Sequence, residues 1–275
     1  MNRLRQLLHG FLVGLAGFLP GLCGSTLQVL FGIYRPLTAA LARPFEDWRG
    51  HLVRFGPFFL AAGAGVLAGS RLLAAAFARH EVPLLYLFMG FMTGALPDLF
   101  RHARRAEGRR AGWLAFAVLF CACLGLAAWQ TRLVPRGEAA DIPWNIWLLA
   151  GAGIGLGSIL PGASVAFLLI YFGIYQPLLD GVAGLEPRIL LPVGLGAGAF
   201  IFLFARAADW LFRNAEGPAT RGVLGLVTGS IVLVYPGWPG GRLGAACLAL
   251  FAAGAAASAA LNRLAPAPPK ARKNA

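Results

Sequence analysis

Long apolar runs, separated by short charged segments, dominate this chain. The stretches at about 53–78, 84–99, 112–133, 189–212, 221–236 and 243–262 hold few charges and do not alternate with period two. Runs of about 18 residues or more can cross a hydrocarbon core as helices, and the missing alternation argues against a membrane barrel. Two further apolar stretches, about 8–41 and 144–180, are each broken near the middle by a Pro-Gly pair. Proline lacks a backbone N–H and disfavours helix at the residue before it. Each of these stretches therefore predicts a re-entrant hairpin, a helix that enters, breaks and turns back.

The two broken stretches carry one phrase twice. Residues 20–37 read PGLCGSTLQVLFGIYRPL and residues 161–178 read PGASVAFLLIYFGIYQPL, at a constant offset of 141 with nine of eighteen positions identical. Pro57, Gly63 and Arg71 then match Pro192, Gly198 and Arg206 at an offset of 135, as Gly90, Thr93 and Gly94 match Gly225, Thr228 and Gly229. The change of offset falls in the charged loop holding Arg43, Glu46, Asp47 and Arg49. Residues 1–140 and 141–264 thus read as two halves of one architecture, each a broken hairpin followed by three spans. The third spans are the least alike. Residues 265–275, rich in Pro, Lys and Arg, read as a disordered tail. The fold class predicted is an all-α integral membrane protein built from a repeat.

Composition agrees: 58% of residues are hydrophobic, 13% are charged, and the mean hydropathy is +0.69. The net charge of +13 would fit nucleic-acid binding, but the basic residues lie in short loops between apolar spans, as cytoplasmic loops of membrane proteins do. No nucleic-acid partner is expected. The loop 100–111, with Arg101, Arg104, Arg105, Arg109 and Arg110, is assigned to the cytoplasm. The termini, the 42–54 loop and the 213–221 loop follow it there. These inside segments hold sixteen of the twenty-four Lys and Arg residues. With three spans per half, the second half enters the membrane upside down. This makes an inverted-topology repeat, whose broken segments meet near the midplane. Residues 1–22 resemble a secretory signal, yet the second copy of the phrase lies in mid-chain, so the first is read as part of the fold. The four cysteines offer no staple and read as small packing residues.

The breaks carry the candidate chemistry. A helix restarting after Pro20-Gly21 or Pro161-Gly162 begins with unpaired N–H groups and a partial positive charge, an arrangement that attracts anions. Gly24 permits close approach, and Ser25, Thr26 and Ser164 add hydroxyl donors. Arg71 and Arg206 occupy equivalent positions and could grip a phosphate through planar guanidinium groups. Against that role stand snorkelling for Arg71 and a local pair with Asp209 for Arg206. Tyr34 and Tyr175 follow Gly-Ile in both copies and read either as interface anchors or as hydrogen-bond donors to the opposite hairpin. The pairs Gly90/Gly94, Gly225/Gly229 and Gly151/Gly155 read as close helix packing. Arg35 and Gln176 occupy equivalent positions with different chemistry.

The phrases at 20–34 and 161–175 resemble the two signature segments of the bacterial polyprenyl-phosphate transporter family. Cys23 replaces a usual Ser, and Val165 a usual Gly. The resemblance spans nearly the whole chain. It implies a transporter that returns undecaprenyl phosphate, the lipid carrier of cell-envelope sugars, across the bacterial cytoplasmic membrane. It implies no cofactor, metal or catalytic residue. Of the two hairpins, the first keeps the fuller cradle, with Gly24, Ser25 and Thr26. A membrane phosphatase acting on undecaprenyl diphosphate is the enzymatic alternative, but it needs acid/base or metal-binding groups beside the breaks. The acids lie mostly in loops, only Asp98 and Asp209 approach span ends, and His9 lies more than two helical turns before Pro20. A small-anion transporter would use the same cradle.

Overall fold

The computed structural model describes residues 3–17, 27, 28, 31, 33, 48–105, 109–129, 142–159, 166–214 and 216–264. Nine helices are described: α1 (Arg3–Ala16), α2 (Trp48–Arg105), α3 (Arg109–Trp129), α4 (Trp144–Ile159), α5 (Ala166–Tyr171), α6 (Tyr175–Ala183), α7 (Pro187–Asn214), α8 (Glu216–Val234) and α9 (Gly241–Leu264). No strand occurs among the described residues. Residues Phe55–Arg104, Pro187–Phe204, Gly217–Val234 and Gly241–Arg263 are long and apolar enough to cross a membrane, and Gly112–Gly125 and Trp144–Gly157 are shorter apolar helices.

Helix α2 is two spans rather than one. His80 leaves the helical region at φ −141°, ψ 51°, within the polar segment Arg79-His80-Glu81 that precedes Pro83. Phe77 and Phe88 would stand about 16 Å apart along a straight helix. Their rings instead lie 5.7 Å apart, so the chain folds back on itself at His80. The predicted spans 53–78 and 84–99 are therefore both present. The predicted loop 213–221 is shorter than expected, because α8 begins at Glu216 with Pro218 in its first turn, where a missing N–H costs no helix bond.

The repeat in sequence is a repeat in contacts. A β-carbon at Gly10 would overlap the Phe58 carbonyl, and one at Gly151 the Val193 carbonyl. Gly14 likewise meets Ala62 where Gly155 meets Ala197. These pairs stand at the offsets of 141 and 135 that align the halves. The first hairpin thus packs α1 on the first limb of α2 as the second packs α4 on α7. Hydrogen bonds repeat too. Phe31 N–H donates to the Leu27 carbonyl and Ile33 N–H to the Gln28 carbonyl, each at 2.9 Å; Phe172 to Leu168 and Ile174 to Leu169 do the same at 2.9 Å. Thr93 and Thr228 return their hydroxyls to the Met89 and Leu224 carbonyls, both at 2.7 Å.

The third spans are exchanged. Gly90 and Gly94, on the second limb of α2, lie against Phe251 and Ala255 of α9. Gly225 and Gly229 of α8 lie against Phe116 and Phe120 of α3, at equivalent positions. Each half therefore lends its last helix to the other. The main core gathers Phe77, Phe88, Trp147, Phe167, Tyr175 and Leu179 around the second hairpin, and a smaller cluster joins Val13, Ile33, Phe55 and Phe58 around the first. Outward faces are apolar: Phe202 is 84% exposed and Leu60 78%, the surface a lipid-facing helix presents. Cys123 and Cys247 are buried free thiols, packing residues as expected.

Arg221 departs from the sequence reading, which placed it in a solvated loop. It lies within α8 at 1% exposure, with its guanidinium carbon 6.0 Å from the Trp113 ring centroid. A β-carbon at Gly112 would overlap that guanidinium group. An early helix start carries the side chain inward, and a glycine on α3 makes room for it.

Close helix approach yields a contrast within one protein. Gly14→Ala and Gly151→Ala should each destabilise the fold by about 1–3 kcal/mol through overpacking. Gly63→Ala and Gly198→Ala, where nothing lies within 4 Å, should stay within about 0.5 kcal/mol. Thermal melting of the four purified variants in detergent measures the difference.

Candidate functional site

Each Pro-Gly pair is preceded by a helix and followed by matching hydrogen bonds. Helix α1 ends at Ala16, where Gly17 N–H reaches the Val13 and Gly14 carbonyls at 3.1 and 3.2 Å. After the pairs, helical residues are described at Leu27 in the first copy and from Ala166 in the second. The break residues Pro20, Gly21, Gly24, Ser25 and Thr26, with Tyr34, lie outside the described residues, as do Pro161, Gly162 and Ser164. Gly173, at φ +71°, makes the turn between α5 and α6, a conformation that suits a residue without a side chain.

Three candidate residues have described backbones. Tyr175 opens α6 and is 2% exposed, edge-on to the Phe77 ring at 5.4 Å. It lies in the core between the second hairpin and α2. Arg206 lies in α7, so its equivalence to Arg71 extends to the helix that carries it; its side chain lies outside the described residues.

Arg71 reaches across the molecule. Its Nε donates to the Ala183 carbonyl at 3.2 Å, joining the first half to the last turn of the second hairpin. One turn along α2, the Gln176 amide donates to the Ala74 carbonyl at 3.3 Å and to the Asp180 carboxylate at 3.3 and 3.4 Å. Helices α2 and α6 thus run antiparallel, with Arg71, Ala74 and Phe77 facing Ala183, Gln176 and Tyr175.

The structure brings Arg71 and Tyr175 together on one joint, and that joint includes Gln176, which sequence reasoning had set aside because Arg35 occupies the equivalent place. Only the fold shows that the Gln176 amide reaches another half. His9 is a second such case. Its ring stacks on Phe31 at 4.1 Å with the planes 2° apart, and its buried Nδ1 has no hydrogen-bond partner. This contact ties α1 to the returning limb of the first hairpin. Among the described residues, no group of three or more His, Cys, Asp or Glu could hold a metal ion.

A family model described as "VCA0040-like: Undecaprenyl phosphate translocase-like" matches residues 3–112 and 105–242. The chain belongs to this family. Among curated proteins, it is 24% identical over 250 residues to a "Polyprenyl-phosphate transporter" of Vibrio cholerae, covering 86% of this chain and 79% of that protein. It is also 24% identical over 253 residues to a "Polyprenyl-phosphate transporter" of Staphylococcus aureus, covering 85% of this chain and 87% of the other. No solved structure matches. The match takes in both repeated Pro-Gly phrases and helices α1 to α8, and ends at the start of α9. The chain is a multi-pass membrane protein of this family, consistent with its apolar helices.

The burial of Tyr175 has a measurable consequence. Tyr175→Ala should cost about 3–5 kcal/mol of stability, seen as a lower melting temperature in detergent. A variant that melts like the wild type but no longer binds lipid phosphate would instead place the ring against a ligand.

Proposed function

We propose that this protein carries undecaprenyl phosphate, or a closely related polyprenyl phosphate, across the bacterial cytoplasmic membrane so that the carrier can be reused in envelope synthesis. The observation that carries this reading is the family match across both halves, joined to two Pro-Gly pairs in the sequence that are followed by identical hydrogen-bond patterns. A lipid phosphate needs an anion cradle for its head and lipid-open flanks for its tail. The breaks at Pro20–Thr26 and Pro161–Ser164 supply amide and hydroxyl donors, and irregular backbone at membrane depth is tolerated where it lines a cavity. Arg206 supplies positive charge to that cradle. Arg71 engages the Ala183 carbonyl through its Nε and acts on the hairpin. The family relationship favours transport over hydrolysis of a lipid diphosphate.

The arginine pattern supports an orientation with both termini and the 100–111 loop in the cytoplasm and the second half inverted. The hairpins then approach the midplane from opposite faces, the first from the cytoplasm. Alternating exposure of the two cradles would carry the headgroup across while the tail stays in lipid.

Vesicles containing the purified protein and undecaprenyl phosphate test the reading by counting headgroups that change leaflet. Faster exchange than in protein-free vesicles is expected. Release of inorganic phosphate from undecaprenyl diphosphate, or transport of free phosphate without lipid exchange, would overturn it. Ser25→Ala/Thr26→Ala should lower transport more than Ser164→Ala, about tenfold against about threefold, as charge-assisted hydrogen bonds to phosphate would require. For orientation, a cysteine placed at Ala106 should react with an impermeant thiol reagent from the cytoplasmic side alone.

A further inference from the structure

The last turn of α6 leaves four carbonyls that no later helical N–H can reach. Three are satisfied locally. Gly184 N–H donates to Asp180 at 2.8 Å, Glu186 N–H to Gly181 at 2.8 Å and Leu185 N–H to Val182 at 3.2 Å. Leu185 adopts φ +53° to make this wrap, a left-handed conformation that branched and bulky residues disfavour. The fourth carbonyl, Ala183, is taken by Arg71 from the other half of the molecule. A cation at a helix C-terminus also opposes the helix dipole favourably. The cap of the second hairpin is thus incomplete without the first half.

Gln176 makes the same joint about two turns earlier on α6, and makes it imperfectly. Both groups near its amide end, the Ala74 carbonyl and the Asp180 carboxylate, are acceptors. The NH₂ group must therefore face them, and flipping the amide would set oxygen against oxygen. The Gln176 Oε1 is left buried with no hydrogen-bond partner. A buried orphan acceptor weakens the arrangement that creates it. The joint is held firmly by Arg71 at the end of α6 and loosely by Gln176 inside it.

We propose that Arg71 is a positioning residue: with Gln176 it fastens the returning limb of the second hairpin to α2, and release of this joint accompanies the movement that passes the headgroup between the two breaks. The proposal rests on the transport reading. Arg71 acts through the hairpin and does not grip the phosphate itself.

The test separates rate from affinity in the full-length protein. Arg71→Gln should lower the maximal rate of undecaprenyl phosphate exchange about tenfold, leave the Kd for that lipid within about twofold, and Arg71→Lys should recover part of the rate. Gln176→Ala should lower the rate about threefold, and the double variant should be less impaired than the product of the two, because both act on one joint. Ala74→Cys/Gln176→Cys, in a chain whose native cysteines are replaced, should be bridged by a reducible methanethiosulfonate cross-linker, stop exchange, and recover on reduction. A tenfold loss of lipid affinity in Arg71→Gln with an unchanged maximal rate would make Arg71 a headgroup ligand and overturn the proposal. So would failure of the two cysteines to be bridged, or exchange that continues at full rate while they are. Wild-type protein that exchanges no polyprenyl phosphate although the cysteines are bridged would refute the transport reading and leave the joint itself standing.

Discussion

A polypeptide broken inside a bilayer has no water to turn to, so every amide and carbonyl freed by the break needs a protein partner. That constraint organises this molecule. Among the described residues a helix precedes each Pro-Gly pair, and the returning limbs make the same hydrogen bonds in both copies. Where α6 ends, three carbonyls are closed by the chain that follows and the fourth by an arginine from the opposite half. Glycines then let neighbouring helices approach until backbone meets backbone: Gly10 on Phe58, Gly151 on Val193, Gly90 on Phe251, Gly225 on Phe116. In lipid, where burial of apolar surface gives little drive for helices to associate, such contact is a main source of cohesion.

These contacts divide the labour between rigid and movable parts. The glycine-mediated pairs lock α1 to α2, α4 to α7, α2 to α9 and α3 to α8. The joint between α2 and α6 differs. Beside its Phe77–Tyr175 contact it uses two long polar side chains, one of which leaves a buried oxygen unpaired. Packed glycine seams resist sliding, whereas a polar joint can be exchanged for another set of hydrogen bonds at modest cost.

Much of this frame could be read from the sequence. The offsets of 141 and 135 located equivalent helices and equivalent glycines, and the polar segment around His80 marked where α2 folds back. The packing role of Gly90/Gly94 and Gly225/Gly229 followed from their spacing. Their partners did not, because Phe251 and Phe116 are ordinary apolar residues in the spans least alike between the halves. Arg221 was misplaced because a helix start cannot be fixed to within a turn when Pro218 is compatible with either side of it. Tyr175 was left between two readings because an amphipathic ring suits several environments, and only the fold sets Phe77 beside it. Gln176 could not be singled out, since nothing in its neighbours announces that its amide meets Ala74, about a hundred residues away in a chain whose non-local contacts are fixed by topology. The break residues themselves were the clearest signal in the sequence, and their chemistry rests on that signal.

The exchange of third helices bears on how the molecule is made. Helix α3 leaves the ribosome roughly a hundred residues before α8, the helix it packs against. Through that interval Gly225 and Gly229, which face it in the finished fold, have yet to be made. The first half therefore cannot mature ahead of the second. An ancestor made of two separate half-length chains would have met the same requirement as a dimer, each subunit completed by the last helix of its twin. Joining the two chains into one would have made that reciprocal completion automatic, and free to become unequal, as Arg35 and Gln176 now are.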